Sequence, residues 1–340
     1  MKIAKLVPVI FITAVLLGCS TEVDTNSGTI TNGTVWTDMS GNSIQAHDNI
    51  IKYGSKYYWY GMDYSKNLRT GDNNGFRAVK CYESADLVNW KFKNNVLTAV
   101  SSDLLYYSDI NAPTVLYNPN TDKFVMWMGY NTQKTLNYSL VATCDSPYGD
   151  FEVQNSTFKI NEGSEMTTLF KDSDYKAYAL SYCAYNKNGD CAFFIYKLTD
   201  DYLSVDTSEY NGILAEMFPR FMIGRASIIK YGNYYYYFAS TNYGLCYAYS
   251  KSLSGYWSGL EKFGPDNYPA QEFGSVITIQ GASETSYLLA FNKWNVSDLS
   301  NSGYVWQPLI FDNSKVVPKP MFNNYVTLTI DAAAGTVTGN

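Results

Sequence analysis

Five times along the 340-residue chain, an apolar strand-like run is followed by a short polar turn and a second run crowded with aromatics. The five copies lie at residues 50–60, 115–127, 169–178, 228–237 and 276–289. Four of them continue into a third apolar run and a polar corner that ends on an aromatic or apolar residue: 79–90, 140–151, 195–203 and 247–257. A unit of hairpin, third strand and edge strand, recurring every 48 to 65 residues, cannot bury both faces of its own sheet and must stack on its neighbours. Radial stacking into a propeller removes the exposed sheet edges. The expectation is therefore an all-β, five-bladed β-propeller, a single domain over residues 34–340, with residues 325–337 closing the ring. A β-sandwich also uses many short strands, but it does not predict the same order five times.

Composition agrees with strands and narrows the partners. The chain holds 32 Tyr, 17 Phe and 7 Trp with only 16% charged residues, and aromatic side chains fit pleated, buried surfaces. Net charge is −6, and no basic cluster follows the first five residues, so a nucleic-acid partner is not expected. One histidine in the whole chain excludes a multi-histidine metal centre. No cysteine pair has zinc spacing, and no phosphate-cradling glycine loop, nucleophile elbow or dinucleotide fingerprint is present. No metal and no cofactor are implied, and a monomer is expected.

The N-terminus has its own logic. Lys2 and Lys5 precede an apolar run, residues 6–17, that is too short to span a bilayer. Residues 1–18 read as a signal peptide. Leu16-Leu17-Gly18-Cys19 resembles the bacterial lipoprotein signal, in which the cysteine, here Cys19, becomes the lipidated first residue; a plain secretory peptide is the alternative. Residues 19–33, rich in Thr, Ser, Asn and Gly, read as a flexible tether. The expected place is the bacterial cell envelope, facing the periplasm or the outer surface, with the membrane touched through the lipid alone. Setting Cys19 aside leaves an odd number of cysteines, so at least one thiol is free. Cys183 and Cys191 flank a turn-like Asn186-Lys187-Asn188-Gly189 and are placed to pair across a hairpin, while Cys81, Cys144 and Cys246 read as small buried thiols.

In a propeller the first strand of each blade lines the axis, so the residues just before it stand at the mouth of the funnel. Those positions carry His47 and Asp48, Asn111, Ser164 and Glu165, Arg225, and Gln271 and Glu272. Carboxylates, amides, an imidazole and a guanidinium converging on one cup suit a neutral, polyhydroxylated ligand, and nearby Tyr and Trp can stack on sugar faces. An oligo- or polysaccharide is the expected partner.

Residues 34–47, 57–61 and 81–90, with Gln271, Trp294 and 302–309, resemble glycoside hydrolase family 43, closest to its exo-β-1,3-galactanase-like branch. The resemblance spans roughly residues 34–312. It implies inverting hydrolysis of galactose-rich or related plant glycans, with an acid that protonates the leaving oxygen and a base that activates water from the far side. It places Gln271, with Glu272 beside it, where that branch orients the water, gives Trp294 to the substrate, and leaves Asp48 as an alternative base. Two matched positions depart from the pattern. Met166 stands where the family has the aspartate that tunes the acid, and Gly224 stands where it has the acid. Glu165 is one residue from Met166, although a shift of one along a strand turns a side chain to the other face. Glu216, eight residues before Gly224, is a candidate replacement acid. Arg225 is placed to hold a sugar hydroxyl or an acidic sugar. Two readings follow: a hydrolase using Asp48, Glu216, Gln271 or Glu272, with His47, Asn111, Glu165, Arg225 and Trp294 binding substrate, or a non-catalytic glycan-binding propeller that has lost its general acid.

Overall fold

The computed structural model describes residues 27–47, 49–65, 75–132, 138–158, 166–181, 184–185, 188, 191–208, 213–218, 223–241, 244–265 and 272–340. Among these the chain is all β apart from one 3-10 turn at Leu299–Asn301. Strand β1 (Ser27–Thr31) comes first. The repeats then supply β2 (Ile50–Tyr53), β3 (Lys56–Met62), β4 (Ala78–Ser84) and β5 (Lys91–Thr98), followed by β6 (Asp109–Asn118), β7 (Lys123–Asn131), β8 (Tyr138–Cys144) and β9 (Glu152–Phe158). The third unit contains β10 (Met166–Lys171), β11 (Ala177–Ser181), β12 (Ala184–Tyr185), β13 (Cys191–Lys197) and β14 (Ile213–Met217). The fourth has β15 (Ile223–Tyr231), β16 (Tyr234–Thr241), β17 (Gly244–Ser250) and β18 (Glu261–Lys262). The fifth has β19 (Glu272–Gln280), β20 (Thr285–Lys293), β21 (Gly303–Asp312) and β22 (Lys319–Phe322), and β23 (Thr327–Asp331) and β24 (Thr336–Gly339) come last.

Each repeat is an antiparallel sheet, four-stranded except for the five-stranded third, in which β13 pairs with β11, β12 and β14. The propeller nevertheless has six blades, not the expected five. The sixth is a three-stranded sheet in which β23 pairs with both β1 and β24. Its strands come from opposite ends of the described chain, Ser27 facing Asp331, so it carries no hairpin repeat to be counted. β1 also takes residues 27–31 that were expected to belong to the tether.

The side-chain period of two explains the uninterrupted aromatic runs. In β3, Tyr58 and Tyr60 enter the core shared with the second sheet, whereas Tyr57 and Trp59 enter the core shared with the fifth and sixth. Strand β7 splits Phe124 and Met126 from Val125 and Trp127 in the same way, and β16 splits Tyr236 and Phe238 from Tyr237 and Ala239. A central sheet buried on both faces needs apolar residues at every position rather than at alternate ones. Fully burying each such side chain contributes about 1.5–3 kcal/mol. The sixth sheet seals the last gap: Ile30, Leu328 and Ile330 pack with Ile277 and Leu288 of the fifth sheet and Tyr82 and Trp90 of the first.

Local chemistry fixes the hairpins and the ring. Gly54 and Gly232 hold φ of 60° and 58° inside two-residue turns whose flanking residues pair Tyr53 with Lys56 and Tyr231 with Tyr234; such turns need left-handed backbone that glycine adopts without strain. At the axis, the Asn49 side chain acts as a strand surrogate. Its Nδ2 donates to the Val115 carbonyl and its Oδ1 accepts from the Val115 N–H, each at 3.0 Å, tying the first sheet to the second. Cys81 and Cys246 are buried free thiols, and burial pushes the Cys81 thiol well up; Cys144 is free and half-buried. Cys183 and the side chain of Cys191 lie outside the described residues, as do Cys19 and the signal segment.

Candidate functional site

The front of the axis is built on bulges. Four axis-lining strands shift register near their N-terminal ends: β6 between Asn111 and Thr114, β10 between Met166 and Thr168, β15 between Ile223 and Ala226, and β19 between Phe273 and Ser275. A bulge leaves a residue unpaired and re-aims the side chains beside it, and Asn111, Arg225 and Glu272 all sit at or just ahead of one. In the first sheet the same end is reached by the segment leading into β2, which carries His47. That segment lies against β3 because residue 61 is glycine: a Cβ there would stand 2.4 Å from Ala46 Cα and from the His47 nitrogen.

His47, Arg225, Glu272 and Trp294 come together. Arg225 Nη1 donates to the His47 carbonyl at 3.0 Å, and its Nε lies 3.5 Å from Glu272 Oε1. The other Glu272 oxygen accepts from Trp294 Nε1 at 2.9 Å. The Trp294 ring lies 4.4 Å from the imidazole, with Tyr64 edge-on to both at 5.9 and 5.5 Å and Tyr304 stacked on the imidazole at 4.5 Å. Trp294 and Tyr64 are half-buried, so an aromatic wall borders a charged pair at the mouth of the channel.

His47 is the best-held member, at 2% exposure. Asn292 Nδ2 donates to the His47 carbonyl at 3.0 Å, which turns Asn292 Oδ1 toward the ring at 3.1 Å from Nδ1. A carbonyl-type oxygen only accepts, so Nδ1 carries the proton and Nε2 accepts. The Tyr304 hydroxyl, 2.7 Å from the Ile44 carbonyl and 3.2 Å from Nε2, shares its hydrogen between them while accepting from the Ala46 N–H. Burial lowers the imidazole pKa to about 3, outweighing the Asn292 hydrogen bond that raises it, with the nearby Arg225 charge adding a lesser lowering effect. At neutral pH the ring is therefore uncharged and supplies shape and polarity rather than a proton.

The remaining candidates are placed differently. Asn111 stands opposite Gly129 at the front of β6 and is half-buried. Glu216 is exposed on β14, opposite Phe194 of β13. That strand is three positions out from β10, about 14 Å at ordinary strand spacing, on the outer edge of its sheet. Gly224 lies in β15 beside Arg225, and Met166 begins β10. Asp48, Glu165 and Gln271 fall outside the described residues. No group of three or more potential metal ligands occurs among the described residues. Three neighbours that complete the site were not singled out from sequence. Asn292 and Tyr304 reach His47 from β20 and β21, and Tyr64 follows β3; two residues before Trp294, and within the 302–309 motif, were the only signals for the first two.

A closed ring of sheets with an aromatic wall, a charge pair and a buried neutral imidazole at one end of its axis defines a carbohydrate-handling propeller. The sequence profile of Glycosyl hydrolases family 43 matches residues 42–272. The chain belongs to that family. Among solved structures it is similar to an exo-β-1,3-galactanase from Clostridium thermocellum at 31% identity and a TM-score of 0.79, over 92% of this chain and 68% of that one. It is similar to an exo-β-1,3-galactanase from Phanerochaete chrysosporium at 26% identity and a TM-score of 0.77, over 92% and 71%. A putative exo-β-1,3-galactanase from Bifidobacterium bifidum shares the fold at 24% identity and a TM-score of 0.72, covering 86% of this chain and 96% of that one. No curated protein sequence matches the chain.

Proposed function

We propose that the front cup receives the galactose end of a β-1,3-linked, galactose-rich glycan, and that the chain acts there as a family 43 hydrolase of weakened general-acid power. The half-buried Trp294, locked through Glu272 to Arg225, carries this reading. A hexose presents an apolar C–H face and a rim of hydroxyls, and this wall offers a ring beside charged hydrogen-bonding groups. Similarity to exo-β-1,3-galactanases supports galactose as the sugar.

The acid is the weak part. Glycine at 224 offers no proton, both oxygens of Glu272 are engaged, and Glu216 lies at a sheet edge. Losing general-acid help costs about 10² to 10⁴ in rate, and the loss matters least for a leaving group that departs readily without protonation. Dinitrophenyl β-galactoside is therefore expected to be cleaved with inversion while β-1,3-galactan is released slowly. Glu272→Gln should reduce both, and Glu216→Gln neither. The glycine at 224 also favours a second reading, glycan binding without turnover; calorimetric binding of β-1,3-galactotriose with no release from either substrate would select it. If neither binding nor release is measurable, the galactan proposal is wrong.

The cellular setting belongs to the same proposal: export through residues 1–18, lipidation at Cys19, and a monomeric domain at the bacterial envelope. Labelled palmitate should enter the wild-type protein, and Cys19→Ala should release it from the membrane fraction.

A further inference from the structure

The axis has a second end. Behind a ring of small polar residues, namely Asn49 just before β2 and Thr114, Thr168, Ser227 and Ser275 of β6, β10, β15 and β19, lies a cavity of about 420 Å³, within the range of small-molecule sites. Its far wall carries Lys52, Lys171 and Lys230 against one carboxylate, Asp172. Lys230 lies five residues beyond Arg225 on β15, about 16 Å along an extended strand, so this mouth is separate from the front cup.

The charges there are not balanced. Asp172 sits 3.6 Å from Lys230 and also accepts from the Tyr235 hydroxyl. Lys52 donates to the Gln280 carbonyl at 2.6 Å, and Lys171 to the Tyr117 carbonyl at 2.8 Å. Neither of these two ammonium groups has a carboxylate partner among the described residues. Lys171 is partly stripped of water, and this burial lowers its pKa. A half-desolvated ammonium held by a neutral carbonyl and the face of the Tyr117 ring, 5.8 Å away, still gains from an anion. The hydroxyls of Thr114, Thr168, Ser227 and Ser275 above it offer partners for a hydroxylated body, the Asn49 amide being held by Val115, and the Tyr117 and Tyr287 side chains line the same space.

We propose that the rear mouth of the channel is a second ligand site, for a small polyhydroxylated anion such as a sugar carboxylate or sugar phosphate. Lys171 and Lys230 hold its charge, and the polar ring holds its hydroxyls. The test uses the purified Arg225→Met protein, which removes the guanidinium from the front cup, titrated calorimetrically with D-galacturonate, D-galactose 6-phosphate and neutral methyl β-galactoside. One of the two anions should bind saturably, and adding Lys171→Met or Lys230→Met should weaken it about tenfold or more. Whichever anion binds more tightly identifies the charged group. Lys230 is exposed, so Lys230→Met decides the matter alone if Lys171→Met does not fold. The proposal is overturned if neither anion binds up to about 10 mM, if binding is indifferent to both lysines, or if the neutral galactoside shows the same lysine dependence.

Discussion

His47 makes the acid stability of this protein readable one residue at a time, because it is the only histidine in the chain. Its folded-state pKa is lowered to about 3 from an ordinary 6.5. The unfolded chain therefore binds a proton that the folded chain refuses. The stability contribution is fully present above pH 6.5 and is lost as pH falls from 6.5 toward 3, at about 1.4 kcal/mol per pH unit. Between pH 7 and pH 5 the loss is about 2 kcal/mol, and ordinary carboxylates, with pKa values near 4, contribute little in that window. Urea unfolding at pH 7, 6 and 5 should show the midpoint falling at constant slope. His47→Gln, which has no titrating ring, should be less stable at pH 7 yet nearly flat across the same range. Proton NMR gives a second view, since a lone imidazole has a lone Hε1 resonance. A native resonance that titrates with a midpoint near 6.5, or wild-type stability unchanged between pH 7 and 5, would refute the argument that burial keeps this ring neutral.

Other consequences follow from single contacts. Gly61→Ala pushes a methyl against the Ala46 and His47 backbone at 2.4 Å; about 1–3 kcal/mol of destabilisation is expected, with altered Trp294 fluorescence, and an unchanged melting temperature would contradict the close approach. Asn49→Ala strips the Val115 N–H and carbonyl of their partners and should cost about 1–3 kcal/mol, read by urea unfolding; a cost under about 0.5 kcal/mol would mean that water in the channel replaces the amide. Arg225→Met leaves Glu272 with Trp294 alone, and galactotriose binding measured by calorimetry should weaken about tenfold without loss of fold.

Much of the architecture was legible because strand period and turn chemistry are local. The aromatic runs at residues 57–60 and 234–237 mark strands buried on both faces, and the glycines at 54 and 232 mark the turns between them. The sixth sheet was not legible, since β1 and β23 are about 300 residues apart in the chain and neither carries a repeat. At the site, counting back from each inner strand located His47, Arg225 and Glu272, but parity could not orient them. A bulge between Met166 and Thr168 resets the alternation between the start of β10 and its interior. Asn292 and Tyr304 resemble ordinary strand residues until the fold brings them to His47.

The amino-acid order alone therefore determined the repeating sheets, the family and the residue types available at the mouth of the channel, since each depends on neighbours close along the chain. Which groups meet was decided only by ring closure. The pairing of Arg225 with Glu272, the neutrality of His47 and the lysines gathered at the rear all arise from residues of different sheets desolvated together, and desolvation is a property of the assembled interior rather than of any stretch of sequence.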